Sequence, residues 1–163
     1  MEFVRQTAKR LHEEHAAVLA LLGRFGQALG RLSAPPSPED ADWNHLLPQL
    51  LSAIEYEVSA HFELEEMQLF PILRANGSAE LADLLAEEHV PIREVSAPLL
   101  RLLKRARAGE TDPKQWIELR RLGLELVERL GTHAQMEEGS LVPAIDELLD
   151  EETDMEIWNN YVN

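Results

Sequence analysis

Residues 60–73, AHFELEEMQLFPIL, and residues 132–145, THAQMEEGSLVPAI, decide how this 163-residue chain folds. In each stretch a histidine is followed four positions later by a glutamate, His61–Glu65 and His133–Glu137. Six positions after each glutamate comes a proline, Pro71 or Pro143. Residues four apart lie about 40° apart around a helix and one turn along it, so each imidazole shares a face with its carboxylate. The two stretches repeat at an offset of 72 residues, the mark of an internal duplication.

The duplication extends upstream. LHEEHAAVLALL (11–22) resembles LAEEHVPIREVS (85–96), pairing His15 with His89 at an offset of 74. The chain has only six histidines, and four of them fall on paired positions. A lone histidine on an amphipathic helix is ordinarily a satisfied polar residue, and one HxxxE pair is ordinary helix surface. The whole set occurring twice is different. Leu and Val stripes account for the core but not for histidines and glutamates at related places.

Apolar residues recur at three- and four-residue spacing through most of the chain, while period-2 alternation is not sustained. The expected fold is all-α, an up-down-up-down four-helix bundle of two helical hairpins related by a pseudo-twofold axis. The first helix is expected from about Glu2 to Leu32, with Leu11, Val18, Leu22, Phe25 and Leu29 along one side. The Pro-rich stretch SAPPSPEDAD (33–42) reads as a loop. A second helix is expected from near Asp42 to about Arg74, with a later start if Pro48 falls beyond the first turn. Asn76-Gly77 supplies a stop and Ser78 an N-cap for the third helix, in which Pro91 and Pro98 predict kinks. Gly109 ends it, and Asp112-Pro113 opens a fourth helix running towards Leu149. The bundle is assigned to residues 1–150. Residues 151–163 form an acidic tail bearing Trp158 and Tyr161, which either folds back or stays free.

Acidic residues outnumber basic ones 30 to 15, for a formal charge of −15. That field repels phosphate backbones and argues against nucleic acid as a partner. With no cysteine, disulfides, thiolate metal sites and thiol catalysis are excluded, so any metal must be held by nitrogen and oxygen. The N-terminus MEFVRQTAKR has no apolar signal segment, and the longest apolar run, Ala16 to Leu22, is too short to span a membrane. A cytoplasmic location without membrane association is the expectation. Neither a nucleophilic triad nor a Gly-rich phosphate loop is supported.

Imidazole plus carboxylate without sulfur suits iron or manganese. If Glu65 and Glu137 each bridge two ions, each ion receives two imidazoles and two carboxylate oxygens. His15 and His61 then serve one ion, and His89 and His133 the other. An oxo or hydroxo bridge brings each to five ligands and leaves one octahedral position open. Around this set, His12 matches Ala86, which favours a role at the surface or against the outside of the site, and His45 reads as surface. Glu57, one turn before His61, matches Arg129; it is either an acceptor for an imidazole N–H or an ion-pair partner of Arg129. Glu14, Glu88, Glu66 and Glu138 adjoin the candidate ligands and are themselves repeated. Adjacent helix positions point about 100° away, which predicts solvent exposure or interhelix contact. Pro71 and Pro143 are expected to bend their helices below the site.

HFELEEMQLFP and HAQMEEGSLVP, with EEH in the first and third helices, resemble the hemerythrin-like family, the HHE cation-binding domain. The resemblance runs from about Leu11 to Ile145. It implies a di-iron centre between the helices, with metal ligands His15, His61, Glu65, His89, His133 and Glu137. Oxygen-carrying members have a further histidine one turn before the third-helix ligand, where this chain has Leu85. That departure implies a more open, more symmetric site, closer to bacterial members and to iron-sensing or nitrosative-stress relatives. Ferritin-like bundles pair ExxH motifs on two helices with lone glutamates on the others, the reverse of this pattern. The expected function is a non-haem di-iron protein that binds, senses or detoxifies O2, NO or peroxide. The alternative is a metal-dependent iron- or oxygen-sensing module without catalysis.

Overall fold

The periodic segments form helices, and the computed structural model describes them across residues 2–162. Met1 and Asn163, the outermost residues of the expected bundle and tail, lie outside the described residues. Helix α1 spans Gln6–Arg31. Helix α2 covers 41–75 and is composite: α-helical at Ala41–Tyr56, Phe62–Leu64 and Phe70–Ala75, with π-helical turns at Glu57–His61 and Glu65–Leu69. Then come α3 (Ala79–Arg107), α4 (Pro113–Gly139), α5 (Leu141–Leu148) and α6 (Glu151–Val162). Both α1 and α3 pack against α2 and against α4, the square of an up-down-up-down bundle. No strand occurs among the described residues, and no described helix is long and apolar enough to cross a membrane.

Local chemistry explains most of the boundaries. Asp40 accepts from the Trp43 N–H at 2.9 Å, so α2 starts at Ala41 and runs through Pro48 rather than starting after it. Pro48 costs that helix one backbone hydrogen bond. Gly77 and Gly109, at φ +84° and +74°, take the left-handed conformation that ends α2 and α3. The Ser78 side chain makes no capping bond, contrary to expectation. Asp112 and Gln115 form a reciprocal capping box, with Pro113 as the first residue of α4. Helix α3 passes through Pro91 and Pro98 as one continuous element. The fourth helix does not reach Leu149 unbroken. Ser140 leaves helical geometry at φ −133°, ψ −66°, because the Pro143 ring cannot pack against the carbonyl of Gly139, four residues back.

The tail folds back. Helix α6 packs on α1 and supplies the cap that α1 lacks: no side chain at Arg5 caps the helix, and its first turn holds no acidic residue. The Gln6 and Thr7 N–H groups donate instead to Asp154 Oδ2 and Oδ1, at 2.8 and 2.9 Å. Asp146 on α5 accepts from the Val4 and Arg5 N–H groups at 2.8 and 2.7 Å. Helices α1 and α4 approach closely at Gly123, where a Cβ would lie 2.6 Å from Leu29 Cδ1 and 2.8 Å from Phe25 Cζ.

The apolar core divides in two. One cluster holds Val18, Leu22, Phe25, Trp43, Ile54, Ile92 and Trp116. The other holds Leu11, Leu69, Phe70, Leu85, Leu141 and Ile145. Between Leu11 and Val18 sits His15, and between Leu85 and Ile92 sits His89. A polar layer separates the two clusters.

Candidate metal centre

That layer is built from the duplicated residues. Helix α1 contributes His15, α2 His61 and Glu65, α3 His89, and α4 His133 and Glu137. All six are at most 2% exposed. They form two groups that share both glutamates: His15, His61, Glu65 and Glu137, and Glu65, His89, His133 and Glu137. Within each group, atoms able to bind a metal lie within 4.8 Å of one another. Glu65 turns one oxygen to each side, with Oε1 2.8 Å from His61 Nε2 and Oε2 3.1 Å from His89 Nε2. Glu137 does the same, with Oε1 2.7 Å from His133 Nε2 and Oε2 3.0 Å from His15 Nε2.

The outer edge of each imidazole is held by a carboxylate from the preceding helix in the bundle. Glu14 on α1 accepts from His61 Nδ1 at 2.8 Å, and Glu66 on α2 from His89 Nδ1 at 2.7 Å. Glu88 on α3 accepts from His133 Nδ1 at 2.6 Å, and Glu138 on α4 from His15 Nδ1 at 2.7 Å. The links run α1 to α2 to α3 to α4 and back to α1. A carboxylate can only accept, so every Nδ1 carries the proton, and each neutral ring therefore aims a bare Nε2 lone pair inward.

Those inward atoms lack partners. Nε2 of His15 and of His61, and both oxygens of Glu65 and of Glu137, are buried without a hydrogen bond. The Nε2 atoms of His89 and His133 lie 3.1 Å apart, lone pair facing lone pair in the neutral rings. Unpaired buried polar groups are costly, and a cation at each group relieves them all. Spacing agrees as well: donors about 2.1 Å from an ion and at right angles sit about 3 Å apart, as the four N···O separations do. Residues 6–145 match the family model described as the hemerythrin HHE cation-binding domain. The chain belongs to the hemerythrin HHE cation-binding family. A comparison with curated proteins returns no match. Cation binding, typically of iron, follows for this hemerythrin domain, and its buried His/Glu groups fit such a site.

Electrostatics couple the imidazoles and carboxylates of the layer. Burial alone pulls the His61 imidazole pKa down, but the charges of Glu65 and Glu57 reverse this and hold it well above its ordinary value. His15 is raised in the same way, chiefly by Glu137 against burial. His133 is raised to about 9, with Glu137 and Glu88 outweighing burial. Glu65 is held well below the usual carboxylate range because His61 and His89 overcome the cost of its burial.

For the neighbours of the site the structure resolves alternatives that the sequence left open. Glu14, Glu66, Glu88 and Glu138 resolve to interhelix contact, and the signal for it was their own repetition beside the candidate ligands. The Glu57–Arg129 ion pair does not form, since Arg129 Nε binds Glu125 at 3.0 Å, one turn back on its own helix. Nor is Glu57 the acceptor for the His61 Nδ1–H, which goes to Glu14. Burial instead places Glu57 against the inner edge of His61, with Oε1 3.7 Å from Nε2. His12 joins His15 on Glu138, at 2.6 Å from its other oxygen. His45 is exposed and contacts Gln49. Sequence reasoning named Tyr161 in the tail but missed its contact with the site: on α6 its hydroxyl donates to Glu14 at 2.8 Å and meets Tyr56. Arg93 and Phe62 also escaped notice. Arg93 pairs with Glu66 at 2.6 Å and lies over the Phe62 ring.

Proposed function

We propose that this hemerythrin domain holds two non-haem iron ions, bridged by Glu65 and Glu137. His15 and His61 complete one ion's protein ligands, and His89 and His133 the other's. The reading extends to a small external ligand, O2, NO or peroxide, bound for sensing or detoxification. One observation carries it: two groups of buried, hydrogen-bond-deprived donors share a pair of carboxylates, each of which turns one oxygen to either side. When bound, a pair of redox-active ions supplies electrons and open positions for such an oxidant.

The chain's own residues do the remaining work. The carboxylates of Glu14, Glu66, Glu88 and Glu138 fix imidazole orientation and keep each proton on Nδ1, leaving Nε2 free. The apolar clusters above and below exclude bulk water from the layer. In the second reading the domain is a regulatory module whose stability reports metal occupancy. The spread of the six proposed ligands over all four bundle helices favours it, because binding is then coupled to folding.

Protein purified from iron-replete cells tests the first reading through metal analysis and a visible spectrum recorded with azide, nitric oxide and peroxide. The expected result is about two iron per chain and absorption that shifts with these ligands. An inert spectrum from iron-loaded protein rules out ligand binding at the site. A melting temperature indifferent to iron removal rules out the regulatory reading.

A further inference from the structure

The duplication is broken at one place beside the metal site. Glu57 lies one turn before His61 on α2 and is 3% exposed, yet its position in the second half is Arg129, turned outward to Glu125. Glu57 opens the first π-turn of α2, whereas α4 is regularly helical through His133 and Glu137. Such turns recur at functional sites, where they re-aim a side chain. One side of the centre thus has a third buried carboxylate and the other has none.

Its placement is at the edge of the first group of donors: it is not among the four that lie within 4.8 Å of one another, so its side chain must shift inward to join them. Donors around an ion at about 2.1 Å are separated by about 3.0 Å when adjacent and about 4.2 Å when opposite. Glu57 Oε1 is 3.7 Å from His61 Nε2, between those limits. That is too far for a hydrogen bond, so the imidazole does not satisfy the carboxylate. The ring that Glu57 approaches, His61, belongs to the first group of donors and not to the second.

Building on the two-iron reading above, we propose that Glu57 is a further protein ligand to the ion held by His15 and His61. The count then differs between the sides. With Glu57 and a shared bridge, the His15/His61 ion has all six octahedral positions filled. The His89/His133 ion alone keeps an open position, and the external ligand binds there. On that side a cleft of about 350 Å³ reaches the outer edge of His133, where Glu88 holds it, and is lined by Pro91, Ile92, Thr132 and Arg129. Arg129 lines that cleft from the position that Glu57 occupies in the other half.

The test compares the wild-type protein with Glu57→Gln, a near-isosteric change, and Glu57→Ala, each loaded with Mössbauer-active iron. Iron content, Mössbauer spectra and azide stoichiometry are measured. Wild type is expected to give two unequal quadrupole doublets and one azide per chain. The variants are expected to retain both irons, to bring the doublets together and to bind up to two azides. A single symmetric doublet from wild-type protein overturns the inference without any variant. So do unchanged doublets and one azide per chain in variants that keep both irons. A wild-type iron content other than about two per chain refutes the di-iron reading itself, and this inference with it.

Discussion

Phe62 stacks face to face on His89, with ring centroids 3.6 Å apart and planes within 5° of parallel. The same ring meets His133 edge-on at 5.7 Å, so one fully buried side chain sets the attitude of two proposed ligands. Phe62→Ala is expected to cost about 3–5 kcal/mol of stability by opening a cavity. It should also loosen metal on the His89/His133 side. Phe62→Leu keeps most of the volume and should cost about 1 kcal/mol. Chemical denaturation together with chelator-driven metal release checks both; equal effects from the two changes would show that ring stacking is irrelevant.

Glu88→Gln removes the negative charge that holds His133 Nδ1 while preserving shape. Loss of a carboxylate behind a metal-binding imidazole typically weakens metal binding about 10–100-fold. The expected result is faster iron loss to a competing chelator at nearly unchanged helicity. Retention equal to wild type would remove the orienting role assigned to Glu88.

The metal-free protein should lose stability as pH rises. His133 is raised to about 9, and His15 and His61 are raised. Their stabilisation is fully present below the ordinary histidine value and is lost as pH climbs through the folded value. Burial raises Glu57 to about 7, so its ionisation penalises the fold increasingly from its ordinary value up to that point. Glu14 and Glu65 are lowered, and their contribution is lost only on acidification. Stability without metal should therefore peak in mild acid and fall towards about pH 9. Iron displaces these protons, so the loaded protein should not show that decline. Thermal melts across the range, with and without metal, provide the check; a metal-free melting temperature that climbs from pH 6 to 9 contradicts the assignment.

Asp154→Ala removes both acceptors for the Gln6 and Thr7 N–H groups. Helix caps of this kind contribute about 1–2 kcal/mol, which in a chain of this size lowers the melting temperature by roughly 3–6 °C. Asp154→Asn should recover part of the loss. A melt unchanged by the alanine substitution would mean that α6 does not cap α1 in solution.

The fold and the inward-facing set are legible in the sequence because both obey local periodicity. A helix repeats every three to four residues, and a duplicated site repeats its chemistry. His61–Glu65 and His133–Glu137 carry that signal unaided. What lies outside it depends on tertiary contact. For Glu14 and Glu66 the sequence leaves solvent exposure and interhelix contact both open until the neighbouring helix is in place. Arg129 seems a natural partner for Glu57 until its true partner, one turn back, is seen. The π-turns of α2 leave no compositional mark, and the cap on α1 comes from Asp154, almost the full length of the chain away. Pro143 breaks its helix where its ring meets the Gly139 carbonyl, whereas Pro48 sits inside a helix that outlasts the loss of one N–H.

The ring of carboxylate–imidazole links has a consequence for assembly. Each helix of α1 to α4 donates one link and receives another, so removing any one helix severs two of the four. Both metal groups also require Glu137, which lies near the end of α4. During synthesis that residue emerges after the other five. Neither group of donors is therefore complete until the last helix of the bundle has been made.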